Sequence, residues 1–201
     1  MGLPVPGYRI VVIGASAGGL HALRTVLEAL PAAFTIPIVV VQHRSRDSEL
    51  LCELLQETTP LRVIEVNDKV GTARGHVYVA PPDYHLLVEE GYFALSVDEP
   101  VRFSRPSIDV TFESAVDSYG MDTIGVVLTG ANQDGADGLR RIVEAGGYAV
   151  VQDPATAEVR VMPQAAIAAV PGARVLPLEQ IGRHLAGIHG RAAPGGLKAV
   201  S

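Results

Sequence analysis

Along the chain, short and almost wholly apolar runs alternate with longer stretches whose apolar residues recur every three or four positions. The first run, residues 10–13 within "RIVVIGASAGGLHAL", predicts a buried strand, a small-residue turn, and a helix over residues 18–30 that Pro31 ends. "IPIVVVQH", residues 36–43, predicts a second strand. A second helix is expected from near Asp47, a good N-cap, to about residue 57, and "LRVIEV" is a third strand. In the middle, "HVYVAPPD", "YHLLVEE" and "YFALSVD" are strand-like with no helix between them, and Glu90-Gly91 suits a hairpin turn. This region predicts an antiparallel insertion or edge. The alternation then resumes. "RPSIDVTFESAVDSYG" predicts a helix opened by Ser107, "TIGVVLTG" a strand over residues 123–129, and "ADGLRRIVEAGG" a helix stopped by Gly146 and Gly147. "YAVVQD" is a strand, Pro163 suits the first turn of a helix covering "QAAIAAV", and "LEQIGRHLAGI" is a last helix.

Buried strands linked by helices imply a parallel sheet covered on both faces. The expected fold class is α/β, three-layered and doubly wound, with a mostly parallel, Rossmann-like sheet and an antiparallel β-hairpin portion. With no internal repeat and no linker, the 201 residues predict one domain over residues 8–189 and a disordered tail over residues 190–201. A composition of 48% apolar and 19% charged residues suits a folded domain. The net charge of −6, with no basic block or aromatic-basic stripe, argues against nucleic acid as a partner. No apolar run reaches the roughly 18 residues of a membrane span, and "MGLPVPGYRI" has no basic-then-apolar signal segment. Cys52 cannot form an internal disulfide, and its place among leucines at helical spacing suits a buried, inert thiol. Cytoplasmic residence is the simplest inference.

In open parallel sheets, ligands bind beyond the carboxyl ends of the strands. Those ends deliver Ser16, then Gln42 and His43, then Thr129 with the turn of residues 130–135, then Gln152 and Asp153. Ser16, His43 and Asp134 are the residue types of a nucleophile, a general base and an orienting carboxylate. A serine hydroxyl needs such a base at neutral pH, and imidazole titrates in the right range. Gly14-x-Ser16-x-Gly18 fits a nucleophile elbow. The small neighbours Gly14, Ala15, Ala17 and Gly18 suit close approach of a substrate, and unpaired N–H groups at the start of the helix suit an oxyanion. The same turn also matches a phosphate or dinucleotide loop, except that Ser16 stands at its second glycine. Gln42-His43 stand where that loop's acid belongs, and no lysine is present. Asp134 alone suits turn chemistry, and Asp137 is a competing carboxylate better placed in the next helix's first turn. His21, His76, His85, His184 and His189 lack metal-ligand spacing and read as surface or partly buried, so no metal is expected.

Taken together, "GASAGG", "VQH", "RPSIDV" and "LTGANQDGADG", in that order, resemble the catalytic domain of the chemotaxis protein-glutamate methylesterases, the CheB family. "HVYVAPPDYH" and Met162-Pro163 are similar as well, and the resemblance spans about residues 8–186. It implies a serine-type hydrolase that removes methyl esters from glutamate side chains of chemoreceptors, releasing methanol; many members also deamidate receptor glutamines. It implies Ser16 as nucleophile, His43 as base, Asp134 as carboxylate, and no cofactor. Backbone amides near Ala17 and Ala131 are the candidate oxyanion donors. Three departures fall on the expected cleft: Ala17 where Thr is frequent, Ala131-Asn132 where Met-Gly is common, and Arg44 where Met often follows the histidine. Arg44 and Arg46 are candidates to contact an acidic receptor helix. Family members usually carry a receiver domain, and none fits before the first strand, so control by a separate regulatory protein is an expectation. The alternative from another class is a catalytically silent α/β module that binds a receptor or signalling partner. A nucleotide-binding protein is a third.

Overall fold

The computed structural model describes residues 8–43 and 50–191, the side chains only as far as residue 188. In chain order the elements are β1 (Ile10–Ala15), α1 (Gly19–Glu28), β2 (Ile38–Gln42), α2 (Leu51–Gln56), β3 (Arg62–Glu65) and β4 (His76–Val79). Then come β5 (His85–Glu89), β6 (Tyr92–Ser96), α3 (Ile108–Tyr119), β7 (Thr123–Val127) and α4 (Ala136–Glu144). The chain closes with β8 (Tyr148–Gln152), α5 (Val161–Ala169), β9 (Arg174–Leu176) and α6 (Leu178–Arg191).

Every residue of β1 is buried, because both faces of the strand are covered. Val11, Ile13 and Ala15 point into a core closed by α1, α2 and α6; Ile10 and Val12 point into a second core closed by α3, α4, α5 and the β5–β6 hairpin. The sheet runs β3-β4-β2-β1-β7-β8-β9 and every pairing in it is parallel. The fold is therefore the three-layer, doubly wound α/β class that the apolar pattern predicts.

Two adjacent central strands place the site. β1 and β7 lie side by side, with Gly14 opposite Val127. The chain leaves β1 into α1 on one face and leaves β7 into α4 on the other. Connections diverging from neighbouring strands open a crevice at their carboxyl ends. On its other side β1 pairs with β2, with Ala15 opposite Gln42. Ser16 and His43 thus follow paired positions on strands about 4.8 Å apart.

The structure corrects the middle of the chain. "HVYV" is not part of an antiparallel insertion: β4 is a parallel strand between β3 and β2. Only β5 and β6 form the antiparallel pair, turning at Glu90-Gly91. No helix crosses from β3 to β4. Instead the connection runs along the hairpin, with Lys69 N–H donating to Phe93 O, Phe93 N–H to Val70 O, and Thr72 N–H to Gly91 O. β9, a three-residue strand, has no counterpart in the sequence prediction; two of its residues are exposed. The last helix continues to Arg191, two residues into the stretch expected to be disordered, and residues 192–201 lie outside the described residues. So does Asp47, the expected N-cap. Ser107 does cap α3, accepting the Val110 N–H at 3.4 Å. Gly146, at φ +85°, ends α4 as predicted, its N–H donating to Val143 O while Gly147 N–H donates to Ile142 O.

Candidate active site

Ser16 sits half-buried in the turn between β1 and α1. Its N–H donates to Thr129 O at 2.9 Å and its carbonyl accepts from Gly19 N–H at 2.8 Å. The glycines of the turn serve the protein's own packing rather than substrate approach. A Cβ on Gly14 would collide with Ile108, and one on Gly19 with Gln42 Oε1. Gly18 adopts φ +76° with the Glu158 side chain against it, and a Cβ on Gly130 would come within 2.5 Å of Met162 Cε. Ala17, by contrast, is exposed.

His43 follows β2, and its N–H donates to Ala15 O at 3.0 Å. Its ring is largely buried and its Nε2 lies 2.7 Å from Asp134 Oδ2. A neutral ring donating from Nε2 leaves the lone pair on Nδ1. Asn132 Nδ2 lies 3.4 Å from that atom. Among the described residues, no hydrogen bond joins Ser16 Oγ to the His43 ring. Such bonds are often loose until substrate is bound.

Asp134 is wholly buried at the start of α4. Besides His43 it accepts from Ile108 N–H at 2.7 Å, Ser107 Oγ–H at 2.9 Å and Asp109 N–H at 3.0 Å. The two N–H groups are the first of α3 and the hydroxyl is its N-cap's, so the carboxylate occupies the positive end of that helix. Burial pushes the Asp134 carboxyl up, but the bonds from His43, Asp109 N–H and Ile108 N–H outweigh it and hold the group below its ordinary value. Asp109 returns the arrangement. Its Oδ1 accepts from Gly135 N–H at 2.9 Å and Gly138 N–H at 2.7 Å, the start of α4. Each carboxylate therefore caps the helix that carries or follows the other. Burial pushes Asp109 up to about 6; the Gly138 N–H and Arg102 oppose the shift, while Asp134 and Asp137 add to it.

Sequence patterns place Gln42 and Thr129 at strand ends but give no role to them or to His85. Thr129 Oγ1 donates to Ala17 O at 2.8 Å and accepts from Val159 N–H at 2.9 Å, which ties the serine turn to the loop after β8. Gln42 Nε2 donates to Ser16 O at 2.8 Å and to His43 O at 3.0 Å, joining the serine and histidine segments. His85 is buried, not at the surface: Nδ1 accepts from Ser107 N–H at 3.2 Å and Nε2 donates to Glu99 O at 3.1 Å. It thereby positions the serine that holds Asp134. The only available signal was that Thr129 and Gln42 stand at strand ends.

The remaining candidates divide. Ala17 and Ala131 are both exposed, and among the described residues neither N–H has an acceptor. The neighbouring N–H groups of Ser16 and Gly130 are already taken, by Thr129 O and Val159 O. Asp137 pairs with Arg102 and Arg140 in the first turn of α4. Cys52 packs half-buried against the core under α1 and α2. Arg44 and Arg46 lie outside the described residues. Among the described residues no helix is long and apolar enough to cross a membrane.

Three comparisons bear on this arrangement. Residues 11–185 match the family model described as CheB methylesterase. A Leptospira interrogans protein with a provisional protein-glutamate methylesterase/protein-glutamine glutaminase name is 51% identical over 176 residues, 87% of this chain and 91% of that protein. The protein-glutamate methylesterase FrzG of Myxococcus xanthus is 44% identical over 184 residues, 90% of this chain but 55% of FrzG. The crystal structure of the Thermotoga maritima CheB methylesterase catalytic domain superposes with a TM-score of 0.86 at 35% identity, covering 90% of this chain and 98% of that domain.

Proposed function

The chain belongs to the CheB methylesterase family, and from that premise we propose that Ser16, His43 and Asp134 hydrolyse methyl esters of glutamate side chains on the cytoplasmic part of a chemoreceptor. The observation that carries this is the buried 2.7 Å pair of His43 and Asp134 beside the serine turn, at the crevice where the sheet's connections diverge.

Asp134 fixes the ring proton on Nε2, so Nδ1 is the accepting nitrogen. Ser16 Oγ attacks the ester carbonyl carbon as its proton passes to His43 Nδ1. The carbonyl oxygen becomes an oxyanion, received by the unpaired N–H groups of Ala17, before the positive end of α1, and of Ala131, in the turn after β7. The intermediate collapses, the C–O bond to the methoxy group breaks, and His43 Nδ1–H supplies the proton with which methanol leaves. Water then gives a proton to His43 Nδ1 and attacks the acyl-serine; the bond to Ser16 Oγ breaks, His43 returns the proton to that oxygen, and a glutamate carboxylate is released. Asp134 stays ionised and stabilises the imidazolium formed in both halves. A primary amide fits the same steps with ammonia as leaving group, which makes receptor glutamine a second substrate. On this reading the protein works in the cytoplasm, where that receptor segment lies.

Methanol release from membranes bearing methylated chemoreceptors tests the reading. Wild type is expected to release methanol and Ser16→Ala none above background. Release by Ser16→Ala at the wild-type rate would overturn it.

A further inference from the structure

We propose that Asn132 is a positioning residue for the proton-accepting nitrogen of His43, an assignment that rests on the hydrolytic reading of the site. Asn132 is half-buried in the turn after β7. Its Oδ1 accepts the Asp134 N–H at 3.1 Å. That bond sets the amide's orientation and leaves Nδ2 facing the ring, 3.4 Å from His43 Nδ1. An amide N–H can only donate, so the contact requires a lone pair on Nδ1. His43 has one because its proton is held at Nε2 by Asp134. Asp134 and Asn132 thus act from opposite sides of the ring on one tautomer, the one able to take the Ser16 proton.

The contact also opposes the protonated ring. Once Nδ1 carries a proton, two N–H donors face each other. Asn132 therefore favours the neutral base at rest and the onward transfer of the proton to the leaving group. At 3.4 Å the bond is long, so the Ser16 hydroxyl can displace it when substrate arrives.

Other charges act on the same ring. Asp134 is bonded to it. Asp109 stands behind Asp134, with Arg102 and Asp137 around it. Ser16, on the β1 side, is neutral, and Arg44 follows His43 outside the described residues. All are common to wild type and variants, so a comparison between them isolates residue 132.

The test is nitrogen-15 NMR of the histidine rings in the full chain, with Asn132→Ala and Asn132→Asp beside wild type. Asn132→Ala removes the amide. Asn132→Asp keeps an oxygen for the Asp134 N–H but sets a carboxylate oxygen against Nδ1. The pH midpoint at which Nδ1 gains its proton is expected to rise in both. In the Asp variant it should rise by about one pH unit or more. The acid limb of kcat/KM for ester hydrolysis should move with it. If Asn132 only braces the loop, Asn132→Ala titrates with wild type and merely loses stability, while the charge of Asn132→Asp raises the midpoint either way and shows that residue 132 faces the ring. A midpoint that stays or falls in Asn132→Ala overturns the assignment, and one that stays in Asn132→Asp overturns the contact it rests on. The titration needs no substrate, so a failure of wild type to release methanol would count against the hydrolytic reading and not against this one.

Discussion

Asp134→Asn keeps the side chain's size and removes its charge, and the structure sets out what that costs. The carboxylate receives four hydrogens: from His43 Nε2 and Ile108 N–H on Oδ2, and from Ser107 Oγ and Asp109 N–H on Oδ1. Asparagine offers one oxygen and one NH2. With the NH2 at the Oδ2 place, it meets the Ile108 N–H, and His43 can accept from it only by moving its own proton to Nδ1. The lone pair that receives the Ser16 proton is then gone. With the NH2 at the Oδ1 place, the Asp109 N–H is left unpaired, although the Ser107 hydroxyl can turn to accept. Either way one buried N–H loses its acceptor, a cost of about 1–3 kcal/mol. In the second orientation His43 keeps its tautomer but the neutral amide no longer stabilises the imidazolium; replacing the aspartate by asparagine costs serine triads about 10⁴ in kcat. Methanol release should therefore fall about 10³- to 10⁴-fold, and urea unfolding should show a loss of about 1–3 kcal/mol. Turnover within tenfold of wild type would refute the reasoning, because the ring would then depend on Asp134 neither for its tautomer nor for the charge that stabilises the imidazolium.

Two further predictions rest on the supporting residues. Thr129→Val leaves Ala17 O and Val159 N–H without the hydroxyl that joins them; chemical denaturation should show a loss of about 1–3 kcal/mol, and loosening of the serine turn should slow turnover about ten- to a hundredfold. Asp109, raised to about 6 from 3.8, keeps its proton in the folded state over a range where the unfolded chain has lost it. Its contribution to stability therefore falls as pH rises from about 4 to about 6, whereas that of Asp134, held low, is present above about 4 and lost on further acidification. Asp109→Asn should remove the first of these slopes, read as unfolding free energy against pH, and an unchanged slope would contradict it.

How much of this was legible in the sequence depended on range. Apolar strands, helix ends at Gly146 and the cap at Ser107 are local, and they stand where the pattern puts them. Ser16, His43 and Asp134 are legible as candidates because each follows a buried strand, and a parallel sheet collects strand ends on one edge; the structure brings His43 and Asp134 within 2.7 Å. β4 was misassigned because its crossover has no helix; the hairpin covers that part of the sheet, which no local pattern announces. Asn132, Thr129, Gln42, His85 and Asp109 owe their roles to partners from 14 to 112 positions away, Asn132–His43 being 89 apart. Turn chemistry alone accounts for an Asn at position 132 and conceals its second contact. The glycines of the serine turn are a related case, since Ile108 and Gln42, the groups that exclude a side chain there, come from other elements.

The central claim is that the His43–Asp134 pair makes Ser16 an activated nucleophile, and this can be measured without knowing the receptor. The protein would be treated with a fluorophosphonate, which reacts with activated serines, and its peptides mapped by mass spectrometry. The account predicts one adduct, on the peptide containing Ser16, absent from Ser16→Ala and formed far more slowly by His43→Ala. No adduct, or one on another serine at an undiminished rate in His43→Ala, would contradict it.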